Sequence, residues 1–304
     1  MQDTSTRVLD HIVHLTPPGT VQQALDSFKS LGFKVLKGGT HADGLTSNAL
    51  VVLADGAYLE LIAFTHAASW YHPGSDERRR REAHCWATKQ PGWIDFAFLG
   101  NGSRTTRISD IINARGKLDG SGTVYRSEVE GGRIRPDGVE LKWLISSPAE
   151  ESVLPFFCGD LTPRELRVPL QPASNAVHPC TAAGVAHVHV LAEDRFIRHL
   201  SQQFTSVIGE RPVLSSSQSF KWNLQTSSMA SSKRSCELIL SVPVSEEERA
   251  FVGGQEHGLY EVGFWVKEAQ QPESVLTPYG RITWVNANRR GAVANERIQR
   301  SSIE

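Results

Sequence analysis

Cysteine is scarce and scattered. The four thiols of the 304-residue chain, Cys85, Cys158, Cys180 and Cys236, form no CxxC pair, so neither a zinc cluster nor a disulfide framework is expected. No run of about 18 apolar residues occurs, and the opening MQDTSTRVLD holds no apolar signal-peptide core. A soluble, cytoplasmic protein without membrane contact is expected. Charge of one sign is missing too: a net charge of −1 supplies no field toward nucleic acid or an anionic membrane. The chain has no GxGxxG and no P-loop pattern, which removes the support for a nucleotide cofactor. Without GxSxG, a serine hydrolase has no nucleophile elbow.

What is present centres on two short runs of β-formers, LDHIVHLT at residues 9–16 and GAYLELIAFT at residues 56–65. Ile12, Val13, Leu15, Leu59, Leu61 and Ile62 mark both as buried strands. Each carries one metal-competent polar residue, His11 in the first and Glu60 in the second. A carboxylate among such neighbours is costly unless paired, hydrogen-bonded or metal-bound. The plainer alternative puts Glu60 at a strand end, in water.

Between these runs, Pro17-Pro18-Gly19 breaks the chain and Thr20 is placed to cap a helix. Val21, Ala24, Leu25, Phe28 and Leu31 form one helical face ending at Gly32. A polar, Gly-rich loop leads to a strand at residues 48–53, and Asp55-Gly56 signals a hairpin. The order is β-α-β-β-β over residues 8–65. A linker at residues 66–92 holds Arg78 to Arg81 among Asp76, Glu77 and Glu82. Four consecutive arginines point around a helix in several directions, so this reads as a solvated helix rather than an anion site.

The pattern recurs at residues 93–160, with a turn at residues 133–138, and again at residues 184–267, with a strand at residues 185–192, a helix at 194–208 and a last strand at 259–266. The polar tail at residues 287–304 lacks an apolar face. Repetition of one unit is an architectural statement. It predicts an α+β fold in which repeated βαβββ modules form a cupped, barrel-like mixed sheet with helices outside. Residues 8–180 would form one domain, followed by the third module. With no partner in sight, that module predicts a homodimer that completes its barrel.

The sequence resembles the vicinal oxygen chelate superfamily (glyoxalase, bleomycin resistance and extradiol dioxygenase proteins), and within it the glyoxalase-like domain proteins. LDHIV (9–13), GGTH (38–41), NAL (48–50), YLELI (58–62), RPDG (135–138) and PFF (155–157) carry the resemblance. It covers residues 8–180, and the third module resembles the superfamily only in layout. The resemblance implies a cup in which a divalent metal chelates neighbouring substrate oxygens, with His11 and Glu60 in two ligand positions. The second module departs from it, offering Asp95 or Phe96 where His11 stands in the first.

His187 in VAHVHVL sits as His11 does in LDHIVHL, and Glu261 in LYEVGF as Glu60 does in YLELIAF. His11, Glu60, His187 and Glu261 together would make a mixed N/O site for zinc, nickel, iron, cobalt or manganese. The alternative makes His187 a satisfied interior histidine. His14 and His189 are not expected to be ligands. Glu60 and His41 are the acid/base candidates, with Asn48, Arg135 and Asp137 as substrate contacts. For Arg135 its position in the family's motif implies a carboxylate clamp, and for Asp137 the Pro-Asp-Gly turn alone is also sufficient reason. The expected activity is lyase or isomerase chemistry by proton transfer on a small carbonyl or hydroxy-carbonyl compound. The alternatives are a metal-free protein that sequesters a small molecule, and an Fe(II) extradiol-type dioxygenase.

Overall fold

The first module begins with β1 (Leu9–Thr16), buried along its whole length. A computed structural model describes residues 5–135, 137–227, 235–268, 272–277 and 279–288. After the proline break, α1 (Val21–Ser30) turns Ala24, Leu25 and Phe28 inward. Thr20 does not cap it. Its hydroxyl donates instead to the Pro17 carbonyl at 2.7 Å and closes the PPGT turn. Then come β2 (Leu36–Thr40), β3 (Thr46–Val52) and β4 (Tyr58–Phe64). The β3–β4 hairpin turns at Gly56, whose φ of +85° a side chain rarely adopts.

The linker holds α2 (Asp76–Glu82), with the Ser75 hydroxyl accepting from the Arg78 N–H. Its arginines do fan out: Arg78 and Arg79 pair with Glu82 and Asp76, while Arg81 is buried 3.2 Å over the Phe64 ring. The second module comprises β5 (Gly92–Leu99), α3 (Ile108–Leu118), β6 (Val129–Ile134), β7 (Glu140–Ser146) and β8 (Phe156–Asp160). The short α4 (Arg164–Arg167) follows.

These strands form one eight-stranded sheet in the order β2-β3-β4-β1-β5-β8-β7-β6. The first strands of the two modules, β1 and β5, pair antiparallel at its centre, and each runs parallel to the last strand of its own module. The sheet curls until its edges nearly meet, where the Ala42 N–H donates to the Gly132 carbonyl at 3.2 Å. This is the cupped α+β fold expected from the repeats.

The third module has β9 (Ala182–Ala192), α5 (Asp194–Ile208), β10 (Leu214–Ser215), β11 (Ser219–Leu224) and β12 (Cys236–Ser241). After α6 (Glu246–Val252) come β13 (His257–Val266), β14 (Ser274–Thr277) and β15 (Gly280–Asn286). The second sheet has the order β10-β11-β12-β9-β13-β15-β14. Here β13 is not the last strand of the third module. It pairs antiparallel with β9 as β5 does with β1, and so opens a shortened fourth module. The third module's partner therefore lies in the same chain, and the structural reason for expecting a second copy is gone. Of the polar tail, Ala287 bonds the Val266 carbonyl, and residues 289–304 lie outside the described residues.

Phe28, Phe96, Ile112, Phe204, Val262 and Phe264 belong to one continuous core that joins both sheets and the helices. Each such side chain contributes about 1.5–3 kcal/mol by leaving water. No helix among the described residues is long and apolar enough to cross a membrane.

Asp55, in the β3–β4 turn, anchors the first sheet to the second. Its carboxylate accepts from the N–H groups of Val185 on β9 (2.8 Å) and Ala57 (3.0 Å). Burial pushes its pKa up to about 6, against the pull of those two donors. Because the native state holds this proton more tightly than the unfolded chain, Asp55 lowers stability as pH rises from about 4 to 6. Asp55→Asn removes the titration, so the stability difference should move in the variant's favour by about 3 kcal/mol across that window. Urea denaturation at several pH values checks this, and a pH-independent difference contradicts it.

Candidate active site

Inside the curled sheet is a cavity of about 680 Å³ lined by His11, His41, Asn48, Glu60, Asp95 and Arg133 among others. β1 supplies His11 and β4 supplies Glu60, both buried. The two residues are near neighbours because β1 and β4 run parallel with Val13 opposite Glu60. His11 Nε2 lies 3.8 Å from Glu60 Oε2. His41, from the β2–β3 loop, places Nε2 3.6 Å from Glu60 Oε1, and its Nδ1 is 2.6 Å from the Thr46 hydroxyl. Asn48 on β3 donates to Glu60 Oε1 at 2.5 Å and accepts from the Gly39 N–H at 3.0 Å. The neighbouring strand tolerates this only through glycine, since a Cβ on Gly38 would sit 2.0 Å from Asn48 Oδ1.

Behind His11 is a buried ionic cluster. Asp10 accepts from His11 Nδ1 at 2.7 Å, from Arg164 Nη1 at 2.5 Å and from Arg167 Nη1 at 2.8 Å. Burial pushes the Asp10 carboxyl up, but Arg167, Arg164 and His11 outweigh it and hold the pKa well below the carboxylate range. The ionised Asp10 keeps the His11 proton on Nδ1 and turns Nε2 toward the cavity. The His11 ring also stacks on Tyr58, with centroids 4.7 Å apart. Arg167 continues to Asp160 through Nε at 2.5 Å and Nη2 at 2.9 Å, and to the Tyr58 hydroxyl at 2.9 Å.

The β1–β5 register sets His11 opposite Ala97 and Val13 opposite Asp95. The pseudo-two-fold axis between the modules therefore exchanges His11 with Asp95, and through the β5–β8 register it exchanges Glu60 with Phe156. Asp95 Oδ2 accepts from Trp86 Nε1 (3.0 Å) and Oδ1 from the Phe96 N–H (2.9 Å). Burial raises its pKa to about 6, the Trp86 and Phe96 donors notwithstanding. Phe156 has no ligand atom, and its ring stands T-shaped to that of His11 with centroids 5.2 Å apart.

His187 and Glu261 stand in the second sheet, with His187 Nε2 3.0 Å from Glu261 Oε1, and neither lines this cavity. Burial pushes the Glu261 carboxyl up, yet His187 and Thr283 hold it at about 2. The likeness of LYEVGF to YLELIAF is a likeness of two buried strands, but by register Glu261 corresponds to Asp95. The position matching Glu60 is Ile239, opposite His189 on β9. Thus the four residues expected to share a metal are split between two sheets.

Nor do His11 and His41 complete a facial triad with Glu60. They approach opposite oxygens of its carboxylate, and among the described residues no three His, Cys, Asp or Glu side chains are placed to hold a metal ion. The donors present do not fit an all-protein metal cage.

Arg135 and Asp137 pair with each other at 2.7 Å in the partly exposed β6–β7 turn, away from the cavity. The neighbouring arginine that does line the cavity is Arg133, only 6% exposed, and burial pulls its pKa down. In the sequence it reads as part of the turn, but β6 extends to Ile134, so Arg133 faces inward. Period-2 alternation through the two preceding glycines was the one available signal.

Residues 9–208 match the family model of the glyoxalase-like domain. Among solved structures, the chain is similar to a hypothetical protein from Staphylococcus aureus, with 13% identity over 91% of this chain and 98% of that one and a TM-score of 0.62. It is also similar to a mutant of 4-hydroxymandelate synthase from Streptomyces coelicolor (14% identity, 86% and 72% coverage, TM-score 0.46). A third is BphC, a halotolerant catechol dioxygenase (10%, 93% and 87%, 0.47). No curated protein matches the chain. The likeness to the Staphylococcus aureus protein, at 13% identity, is one of fold.

Removing Arg167 takes one of two arginines from the buried Asp10 carboxylate and the two-point contact from Asp160. Arg167→Met should lower unfolding stability by about 3–5 kcal/mol, and Arg167→Lys by less, since a charge remains without the fork. Urea denaturation of both variants measures this, and a loss below about 1 kcal/mol for Arg167→Met contradicts the account.

Proposed function

The chain belongs to the glyoxalase-like domain family of the vicinal oxygen chelate superfamily, and from that premise we propose that its first sheet houses an enzyme site. The reaction is proton transfer on a small carbonyl or hydroxy-carbonyl compound, of isomerase or lyase type. One observation carries the reading. The Glu60 carboxylate lies on the cavity wall between two imidazoles, oriented by Asn48, with Tyr58, Trp143 and Phe156 supplying apolar walls.

Glu60 is the general base, removing a proton from the carbon beside the substrate carbonyl. Such positioned bases contribute about 10²–10⁴-fold to a rate. With the Thr46 hydroxyl donating to Nδ1, His41 carries its proton on Nε2, 3.6 Å from the same carboxylate. From there it hydrogen-bonds the oxygen on which enolate charge develops. His11, held by Asp10, presents an Nε2 lone pair that orients a substrate hydroxyl. Return of the proton to the former carbonyl carbon, with the hydroxyl proton passed to the former carbonyl oxygen, completes an isomerisation, and departure of a leaving group with its electron pair from the β-carbon completes an elimination.

A second reading, a metal-free protein that sequesters an apolar small molecule, is favoured by Phe156 standing where the pseudo-symmetry would put a second carboxylate. Proton exchange separates the two. Protein dialysed against a chelator should wash deuterium from D₂O into at least one member of a panel of 2-hydroxy ketones and hydroxy acids. Glu60→Gln, folded by circular dichroism, should exchange it about 10²–10⁴-fold more slowly. Panel compounds that bind without any exchange would leave the sequestering reading. Exchange lost on chelation and restored by added metal would overturn the metal-free step.

A further inference from the structure

The cavity wall carries four cationic side chains, and three are committed. Arg167 is spent on Asp10, Asp160 and Tyr58. Lys89 pairs with Glu151 at 2.8 Å, and Arg126 donates to the Ala149 carbonyl at 2.6 Å. Arg133 is different. Among the described residues its guanidinium makes no hydrogen bond and no ion pair, although the residue is 94% buried by the 6% exposure already noted. Its nitrogens are not sealed in protein either, since none is among the buried atoms lacking a partner. They open onto the cavity.

A buried guanidinium without a counter-charge is costly to maintain. Here its position is fixed from two sides. β6 pairs Arg133 with Leu141 on β7, and across the seam a Cβ on Gly39 would lie 3.3 Å from Nη1. The guanidinium thus shares the cavity with Glu60 but forms no ion pair with it, leaving a gap between base and cation.

We propose that Arg133 is a carboxylate-binding subsite, and that the compound bound here is a monocarboxylic acid with an apolar body. This deepens the proton-transfer reading and rests on it for the reacting carbon, which the Arg133 fork places against Glu60. The guanidinium matches a carboxylate in a planar, two-point geometry. Two observations favour one negative charge over a phosphoryl dianion. Only one cation is uncommitted, and Asp43 and Glu150 around the cavity repel a second charge. The body of the acid packs against Trp86, Trp143 and Ile145.

Tryptophan fluorescence and calorimetry test this with three probes of similar shape: phenylacetate, phenylacetamide and benzylphosphonate. Phenylacetate should bind about tenfold or more tightly than the amide and more tightly than the phosphonate. Arg133→Gln should lose that advantage while binding the amide as wild type does, and Arg135→Gln, in the exposed turn, should change nothing. Equal binding of acid and amide, undiminished acid binding by Arg133→Gln, tighter phosphonate binding, or no acid binding would each overturn the proposal. Glu60→Gln should still bind phenylacetate. Wild-type protein that holds phenylacetate yet exchanges no proton with any compound of the hydroxy-carbonyl panel would therefore defeat the catalytic reading and leave the subsite standing.

Discussion

The buried carboxylate of Asp10 is the constraint from which the first sheet takes its working shape. It sits on the central strand and cannot be left ionised without compensation. Two arginines from the short helix after β8 supply that compensation, so the end of the second module is drawn onto the start of the first. Arg164 reaches the Gly56 carbonyl at 3.0 Å as well, linking the same cluster to the hairpin that carries Tyr58 and Glu60. What this arrangement delivers to the cavity is a His11 ring of fixed tautomer and orientation. The ionic cluster itself is weak evidence for stability, because desolvation offsets most of its Coulomb gain. Its consequence is geometric.

Duplication explains why the site is lopsided. The fold places four equivalent positions around the first cup, and His11, Asp95, Glu60 and Phe156 fill them. One is apolar, and another is a carboxylate whose oxygens are already occupied by Trp86 and a backbone N–H. The second sheet repeats the geometry with His187, Glu261, Ile239 and Thr283, and there His187 and Glu261 bond each other. The same scaffold thus carries an open, mixed-charge cavity in one half and a closed His–Glu hydrogen bond in the other. Chemistry follows the side chains at these positions rather than the fold.

Much of the first module was legible along the chain because its signals are local. The apolar face from Val21 to Phe28, the Asp55-Gly56 turn and the two buried strands each depend on residues a few positions apart. His11, Glu60, His41 and Asn48 were found for that reason, and they do converge. Thr20 reads as a cap by type, yet its hydroxyl found a nearer acceptor in Pro17. Arg133 was missed because it follows two glycines and precedes a Pro-Asp-Gly turn, so its strand looked like loop. Asp10, Arg164 and Arg167 carry no local signal, since nothing nearby in the chain indicates that an aspartate at residue 10 meets arginines more than 150 positions away.

The sequence by itself determined the βαβββ repeat, the family resemblance and the residues lining one wall of the first cup. These follow from hydrophobic period and turn chemistry, which act over a few residues. Only the tertiary structure decided that β13 starts a fourth module, and with that the separation of Glu261 from Glu60. It likewise decided that Arg133 faces the cavity while Arg135 faces water. Strand order and register are long-range choices, and a single step in register moves a side chain to the opposite face of the sheet.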